Sequence, residues 1–262
     1  MFIQRIINYI KKIIPQSIKS KIYNLLIEVI LIPVIFQNLY FKSKIKDYKN
    51  IPIIINNRNH FTYLKKLINF LEKKEYNNII ILDNASTYQP LLDYYKKIKH
   101  RIIYLNENLG HMALNKCNLF NEIKNDYFVY TDPDILPIDE CPDDFLKHFL
   151  DLMKKDYKVQ KVGFSLKIDD LPDCYNKKQQ VINWEKQFWN KKIKQDVYIA
   201  SIDTTFALHR PNIKSSFLNK YTYHYRTDYP YQARHLPWYE DSNNLPEDIL
   251  FYLENAVIGN HW

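Results

Sequence analysis

From Ile51 to Tyr130 the chain alternates short apolar runs with stretches of helical periodicity. Ile51-Pro52-Ile53-Ile54-Ile55, Ile79-Ile80-Ile81-Leu82, Ile102-Ile103-Tyr104-Leu105 and Tyr127-Phe128-Val129-Tyr130 are β-prone and lack polar alternation. That pattern predicts strands of a parallel sheet, buried on both faces. Between the first two runs, Phe61, Leu64, Leu67, Ile68 and Leu71 recur at helical spacing, and Leu91, Leu92 and Tyr95 do so before the third. Strand–helix alternation of this length predicts an α/β fold, a mostly parallel sheet with right-handed crossovers.

Ligands of such sheets bind beyond the carboxyl ends of the strands. The chain places a polar segment after each run: Asn56–Asn59, Asp83–Ser86, Asn106–Gly110 with Asn115 on the next helix, and Asp132-Pro133-Asp134. Arg58 is a natural partner for a diphosphate or a base edge. Asp83 can accept hydrogen bonds from a base or ribose, beside Asn57, Ser86 and Asn108. Gly110 allows backbone to approach a ligand closely. Asp132 and Asp134 point the same way along extended chain. Two hard oxygen ligands on one side suit Mg²⁺ or Mn²⁺, which in turn bind diphosphate oxygens. Taken singly, each segment is ordinary turn and cap composition; their succession is the signal.

Ahead of the first strand, Phe2, Ile3, Ile6, Ile7, Ile10, Ile13 and Ile14 repeat at helical spacing, opposite Gln4, Arg5, Asn8, Lys11 and Lys12. Pro15 is expected to end that helix. A second apolar stretch, Ile22 to Phe36, is interrupted by Glu28 and Pro33 and falls short of the ~20 apolar residues of a membrane span. Residues 1–49 hold nine Lys and Arg against two acids, so they carry +7 of the total +8. The near-neutral remainder argues against a nucleic-acid partner, which would need a basic face on the folded domain. A basic amphipathic helix with a short apolar segment fits an anionic membrane surface. Packing on the domain or on a second subunit produces the same stripe.

The 262 residues, 46% hydrophobic, suffice for one large domain with an appendage. Two units are expected: a helical appendage over 1–49, and a domain over 50–262 with halves 50–137 and 138–262. Cys117, Cys141 and Cys174 are too few and too irregularly spaced for a disulfide framework or a zinc site. No apolar region with a small-residue cleavage site opens the chain, so a cytoplasmic protein on the cytosolic membrane face is expected.

The ordered set Ile53-Ile54-Ile55-Asn56-Asn57-Arg58, Ile81-Leu82-Asp83-Asn84-Ala85-Ser86, Asn108-Leu109-Gly110-His111-Met112-Ala113-Leu114-Asn115 and Asp132-Pro133-Asp134 resembles the nucleotide-sugar half of glycosyltransferase family 2. The resemblance implies the GT-A fold, a nucleotide-diphosphate sugar donor, UDP-linked by preference, and a divalent Mn²⁺ or Mg²⁺. By position it assigns Asp83 to the base, Asp132 to ribose or metal, and Asp134 to the metal. One departure is Asn56-Asn57-Arg58, where a Tyr-Asn-Arg-like run is usual.

The second half should supply the acceptor site and the base. Val197 to Arg210 reads as a strand pair or a strand with a bend, and resembles the acceptor-side strand of the family, with Asp203 at its middle. A strand-centre carboxylate must be paired or face a cleft, so Asp203 is the first candidate for the general base. Asp228, Glu240 and Asp241 are its rivals. In the cluster Tyr231–Tyr239, Arg234 could neutralise the leaving diphosphate. His235 could complete the metal shell, as a late histidine does in many enzymes of this fold, with His261 as an alternative. Trp238 and Tyr239 suit stacking on a sugar ring, although aromatics of this kind also simply pack. Trp184 and Trp189 could edge the acceptor site, with a packed helix face the stronger reading.

The expected function is metal-dependent transfer of a sugar to a hydroxyl of a glycan or lipid-linked acceptor, with inversion implied by the resemblance. Surface polysaccharide or glycoconjugate synthesis is the setting that the anchor suggests. A sugar-nucleotide nucleotidyltransferase would want a glycine-rich loop over the phosphates, absent from Asn56–Asn59. A non-catalytic partner in a membrane-bound synthesis complex is the other alternative.

Overall fold

The computed structural model describes residues 16–194, 196–211 and 221–255. The expected helix over residues 2–14, and His261, lie outside them.

The chain runs α1 (Gln16–Tyr40), β1 (Ile53–Asn57), α2 (Thr62–Lys73), β2 (Ile79–Asp83), α3 (Gln89–Tyr95), β3 (Arg101–Tyr104), α4 (Ala113–Lys116), α5 (Leu119–Ile123), β4 (Phe128–Thr131), β5 (Ile135–Pro137), α6 (Phe145–Lys155), β6 (Val159–Leu166), α7 (Lys178–Glu185), β7 (Lys192–Lys194), β8 (Val197–Ile199), β9 (Ala207–His209), β10 (Tyr223–His235) and α8 (Glu247–Glu254). One sheet has the order β3-β2-β1-β4-β9-β6-β10-β8-β7, with β5 added against β10. Its first half, β3-β2-β1-β4, is wholly parallel. Beyond β4 the sheet becomes mixed: β9 is antiparallel to both β4 and β6, and β10 is parallel to β6.

The apolar runs explain this half directly. Ile53, Ile54 and Ile55 of β1 are fully buried, as are Ile81 and Leu82 of β2. Tyr63, Leu64, Leu67, Ile68 and Leu71 form the buried face of α2. Connections from β1 lead one way, to β2 and β3, while β4 returns on the other side. The order therefore reverses between β1 and β4, and a crevice opens above their carboxyl ends.

Two expectations need correction. Val197–Arg210 does hold two strands, but β8 and β9 are short and do not pair with each other: they lie apart in the sheet, β8 against β10 and β9 between β4 and β6. Residues 200–206 form an irregular bend between them. The apolar stretch after residue 22 is not interrupted at Glu28 or Pro33. It belongs to a continuous helix, with Pro33 inside it, and Ser20–Tyr40 is long and apolar enough to cross a membrane by length and composition. Glu28 is accommodated because it pairs with Lys158 at 2.6 Å and accepts from the Tyr157 hydroxyl.

Candidate active site

The crevice is a cavity of about 550 Å³ lined by the loops after β1, β2, β3 and β4, by the 200–206 bend and by α8. Local hydrogen bonds fix these loops to one another. Asn59, at φ 62°, donates its N–H to Ser86 Oγ (2.9 Å) and accepts from the N–H groups of Thr87 and Tyr88. Asn84 accepts from Leu109 N–H (2.7 Å) and donates to the Gly110 carbonyl (3.2 Å), joining the second loop to the third. Gly110 sits at φ 56°, a conformation that costs a side-chain-bearing residue most. The Asp248 carboxylate of α8 accepts from Phe61 N–H, Thr62 N–H and Thr62 Oγ1. It thereby caps α2 and holds Tyr252 at the cavity wall.

Arg58, Asn108, Gly110, Asp132, Asp134 and Asp203 line this cavity together. Asp83 does not. It is buried, and its oxygens accept from Tyr95 Oη (3.0 Å) and Ser86 N–H (3.2 Å). Asn57 is buried behind it and donates to the same Tyr95 oxygen. Asn115 is exposed on α4, off the cavity. Thus Asp83, Asn57 and Ser86 brace the loops, and Asn56 and Asn84 reach the cavity wall in their place, Asn84 with both ends of its amide already engaged. Asn56, His60, Asn84, His111, Thr204 and Tyr252 also line the wall; of these only Asn84 was picked out in its loop from the sequence, and none was given a role.

A second cavity, of about 500 Å³, shares Asp132, Asp203 and Thr204 with the first. Its far wall carries Trp184, Phe188, His235 and Trp238. Trp238 is buried, with its indole N–H unpartnered among the described residues. Beneath lies a buried ion pair, Arg226 to Glu185 at 3.0 Å, with the guanidinium 4.0 Å from the Phe188 ring centre. Burial raises the Glu185 carboxyl above its usual range despite Arg226, which opposes the shift. Arg234 and Tyr239 line neither cavity: Asp170 binds Arg234 Nη2 and Tyr239 Oη, each at 2.6 Å. Both therefore lie away from the position proposed for them, because Asp170 supplies the nearer partner.

The carboxylates at the junction differ. Burial, then the Asp134 charge, raises Asp132 well above the ordinary carboxylate range. Burial acts on Asp134 too, but His235 and His60 outweigh it and hold Asp134 low. Asp134 lies 3.3 Å from His235 Nε2, and both Asp134 Oδ1 and His235 Nδ1 are buried without a hydrogen-bond partner among the described residues. Hard oxygens, an imidazole and two orphaned atoms fit a divalent cation. Among the described residues no group of three or more acidic, His or Cys side chains is gathered closely enough to hold a metal by itself. Mg²⁺ characteristically uses one or two carboxylates and completes its shell with substrate phosphates and water.

No functionally curated protein matches the chain. Among solved structures, TarS of S. aureus matches at TM-score 0.35 and 15% identity, covering 62% of this chain and 47% of that one. GalNAc-T7, solved with UDP, GalNAc and Mn²⁺, matches at TM-score 0.41 and 11% identity, covering 62% and 35%. Glucosyl-3-phosphoglycerate synthase of Mycobacterium tuberculosis matches at TM-score 0.38 and 11% identity, covering 62% and 56%. The match thus spans between 35% and 56% of the length of these three. The profile of glycosyl transferase family 2 matches residues 52–215, most of the chain and well past the motif-bearing half. With its GT-A-like sheet and its crevice at the β1/β4 reversal, the chain belongs to glycosyltransferase family 2.

Proposed function

We propose that the chain transfers a sugar from a nucleoside-diphosphate donor, UDP-linked by family resemblance, to a hydroxyl of a glycan acceptor. The observation that carries this reading is the meeting of two cavities at one carboxylate cluster. The polar cavity, with Arg58, Asn84 and Asn108, suits a nucleotide. The aromatic one, with Trp184, Phe188 and Trp238, suits a sugar ring. Asp132 and Asp203 border both, so a donor anomeric carbon and an acceptor hydroxyl would meet between them.

Asp132, Asp134 and His235 would hold Mn²⁺ or Mg²⁺, which when bound offsets charge on the departing diphosphate. Arg58 adds a fixed positive charge to the same cavity. Asp203 takes the acceptor proton: it is exposed at the mouth shared by the two cavities. Direct displacement with the hydroxyl entering from the aromatic side inverts the anomeric carbon. The test is turnover of a sugar-nucleotide panel with Mn²⁺ and with EDTA, scored by release of nucleoside diphosphate. Metal-dependent release from one donor supports the reading; no release from any donor, with glycan acceptors present, contradicts it.

A further inference from the structure

Helix α1 presents two apolar faces. One, with Ile30, Leu31 and Val34, is buried against Tyr157 and Tyr221. On the opposite side Leu25, Val29, Ile32, Phe36 and Leu39 follow one another at intervals of four, three, four and three. They form one continuous stripe, and they are 43–72% exposed. Partly buried polar contacts fasten the helix where it lies. Gln37 donates to the Pro211 carbonyl (2.7 Å), Arg210 donates to Asn38, and Glu28 is bound to Lys158.

These partners all sit at one end of the sheet. Tyr157 and Lys158 lead into β6, Tyr221 precedes β10, and Arg210 and Pro211 leave the antiparallel β9. Just beyond α1, Phe41 packs on Tyr127 at the start of β4, and Ser43 donates to Asp126 (2.7 Å). The cavities open at the other end, above the close of β4 and beside His235 at the close of β10. The eight residues of β6 separate the two ends by about 25 Å, at about 3.3 Å per residue.

We infer that the exposed stripe of α1 lies in the surface of an anionic bilayer and holds the catalytic cavities at the end of the domain away from the lipid. Lys21, Lys42, Lys44 and Lys46, all exposed, flank the stripe and match anionic headgroups. A second copy of the chain is the poorer occupant: it would bring its own exposed lysines against Lys21, Lys42, Lys44 and Lys46, like charge facing like. Spanning the membrane would strip α1 from Lys158, Arg210 and Pro211. The helix therefore docks in the plane of the interface although it is long enough to cross. Given the transfer reading above, the reacting acceptor hydroxyl stands about 25 Å from the headgroups. It belongs to the outer part of a glycan chain or to a soluble acceptor, and not to the first sugar on a lipid.

The experiment is co-sedimentation of the full chain with phosphatidylcholine vesicles, with and without phosphatidylglycerol. It is paired with quenching by brominated lipids of tryptophans introduced singly, Phe36→Trp in the stripe and Glu107→Trp beside the nucleotide cavity. The inference expects binding that requires the anionic lipid, at least a tenfold loss in Leu25→Glu/Phe36→Glu, and added quenching at position 36 only. Failure to bind anionic vesicles, or binding unaffected by the double substitution, overturns it. So does a lipid-free dimer in ultracentrifugation that the double substitution dissolves, which makes a second copy the occupant. Quenching at 107 equal to that at 36 overturns the orientation. Calorimetric binding of nucleotide to the same proteins without lipid reads the transfer site separately.

Discussion

Asp134 and His235 face each other at 3.3 Å because β5 and β10 pair in antiparallel register, with His235 opposite Ile135. The Leu236 N–H donates to the Asp134 carbonyl at 2.8 Å, so the backbone holds the relationship from both sides. A site set by strand pairing is stiffer than one set by loops alone. His235→Ala should leave the fold intact and lower metal-dependent activity by at least about 10–100-fold, the range seen when even outer-shell partners of a metal are removed. Titration of Mn²⁺ against initial rate checks this: the half-saturating concentration rises in the variant.

Asp203 separates from its rivals by position. Asp228 is bound by Lys192 (2.8 Å) and Tyr198 Oη (3.1 Å), Glu240 lies 4.0 Å from Lys66, and Asp241 accepts from Asn243 N–H (2.9 Å). None of the three lines either cavity. Asp203→Asn should lower kcat by about 10²–10⁴-fold, the usual worth of a general base, with nucleotide affinity unchanged. Asp228→Asn, Glu240→Gln and Asp241→Asn should stay within a few-fold of the parent. Single-turnover kinetics at saturating donor distinguish the four.

The buried pair under the second cavity should be costly to break and cheap to replace. Arg226→Met leaves Glu185 buried without its cation, and the expected loss is about 3–5 kcal/mol of stability. Arg226→Met with Glu185→Leu should recover most of it. Urea unfolding of the two variants, compared at constant slope, measures both.

His224 gives the fold a pH limit. Burial, with Lys161 and Arg226 nearby, lowers its pKa from 6.5 to about 4. Its Nδ1 accepts from the Ile202 N–H at 3.2 Å, which only the neutral ring can do. As pH falls below 6.5 the unfolded chain gains a proton that the folded chain refuses until about 4. Stability is therefore full above pH 6.5 and is lost across that window, by about 3 kcal/mol at about 1.4 kcal/mol per unit. His209 is lowered in the same direction, chiefly by burial, and steepens the loss. Unfolding midpoints from pH 7 to pH 4 should fall less steeply in His224→Gln, after its own loss at pH 7 is subtracted.

The parallel half of the sheet was legible because each of its strands is built on a short apolar run, although β3 at the edge is only partly buried, and period and length suffice to place such runs. Asp132 and Asp134 were legible for a related reason, standing where an apolar strand meets a polar turn. What escaped the sequence depends on distant partners. Asp83 looks like a ligand-facing carboxylate until Tyr95 and Ser86 take its oxygens. The cap of α2 comes from Asp248, 186 positions further along, and no local pattern announces it. Arg234 and Tyr239 were drawn from the cavities by Asp170, which no spacing rule would pair with either. The separation of β8 from β9 escaped because Ile202 and Phe206, the apolar residues of the 200–206 bend, are buried without being paired in the sheet.

The most direct test of the central claim is calorimetric titration of UDP and GDP into the full chain, with Mn²⁺ and with EDTA, alongside Asp134→Ala. The account predicts saturable, metal-dependent binding of one nucleotide, UDP by resemblance, that Asp134→Ala abolishes while the variant remains folded by circular dichroism. Binding of neither nucleotide under any metal condition, or binding indifferent to both metal and Asp134, would contradict it and leave the β1/β4 crevice without its donor.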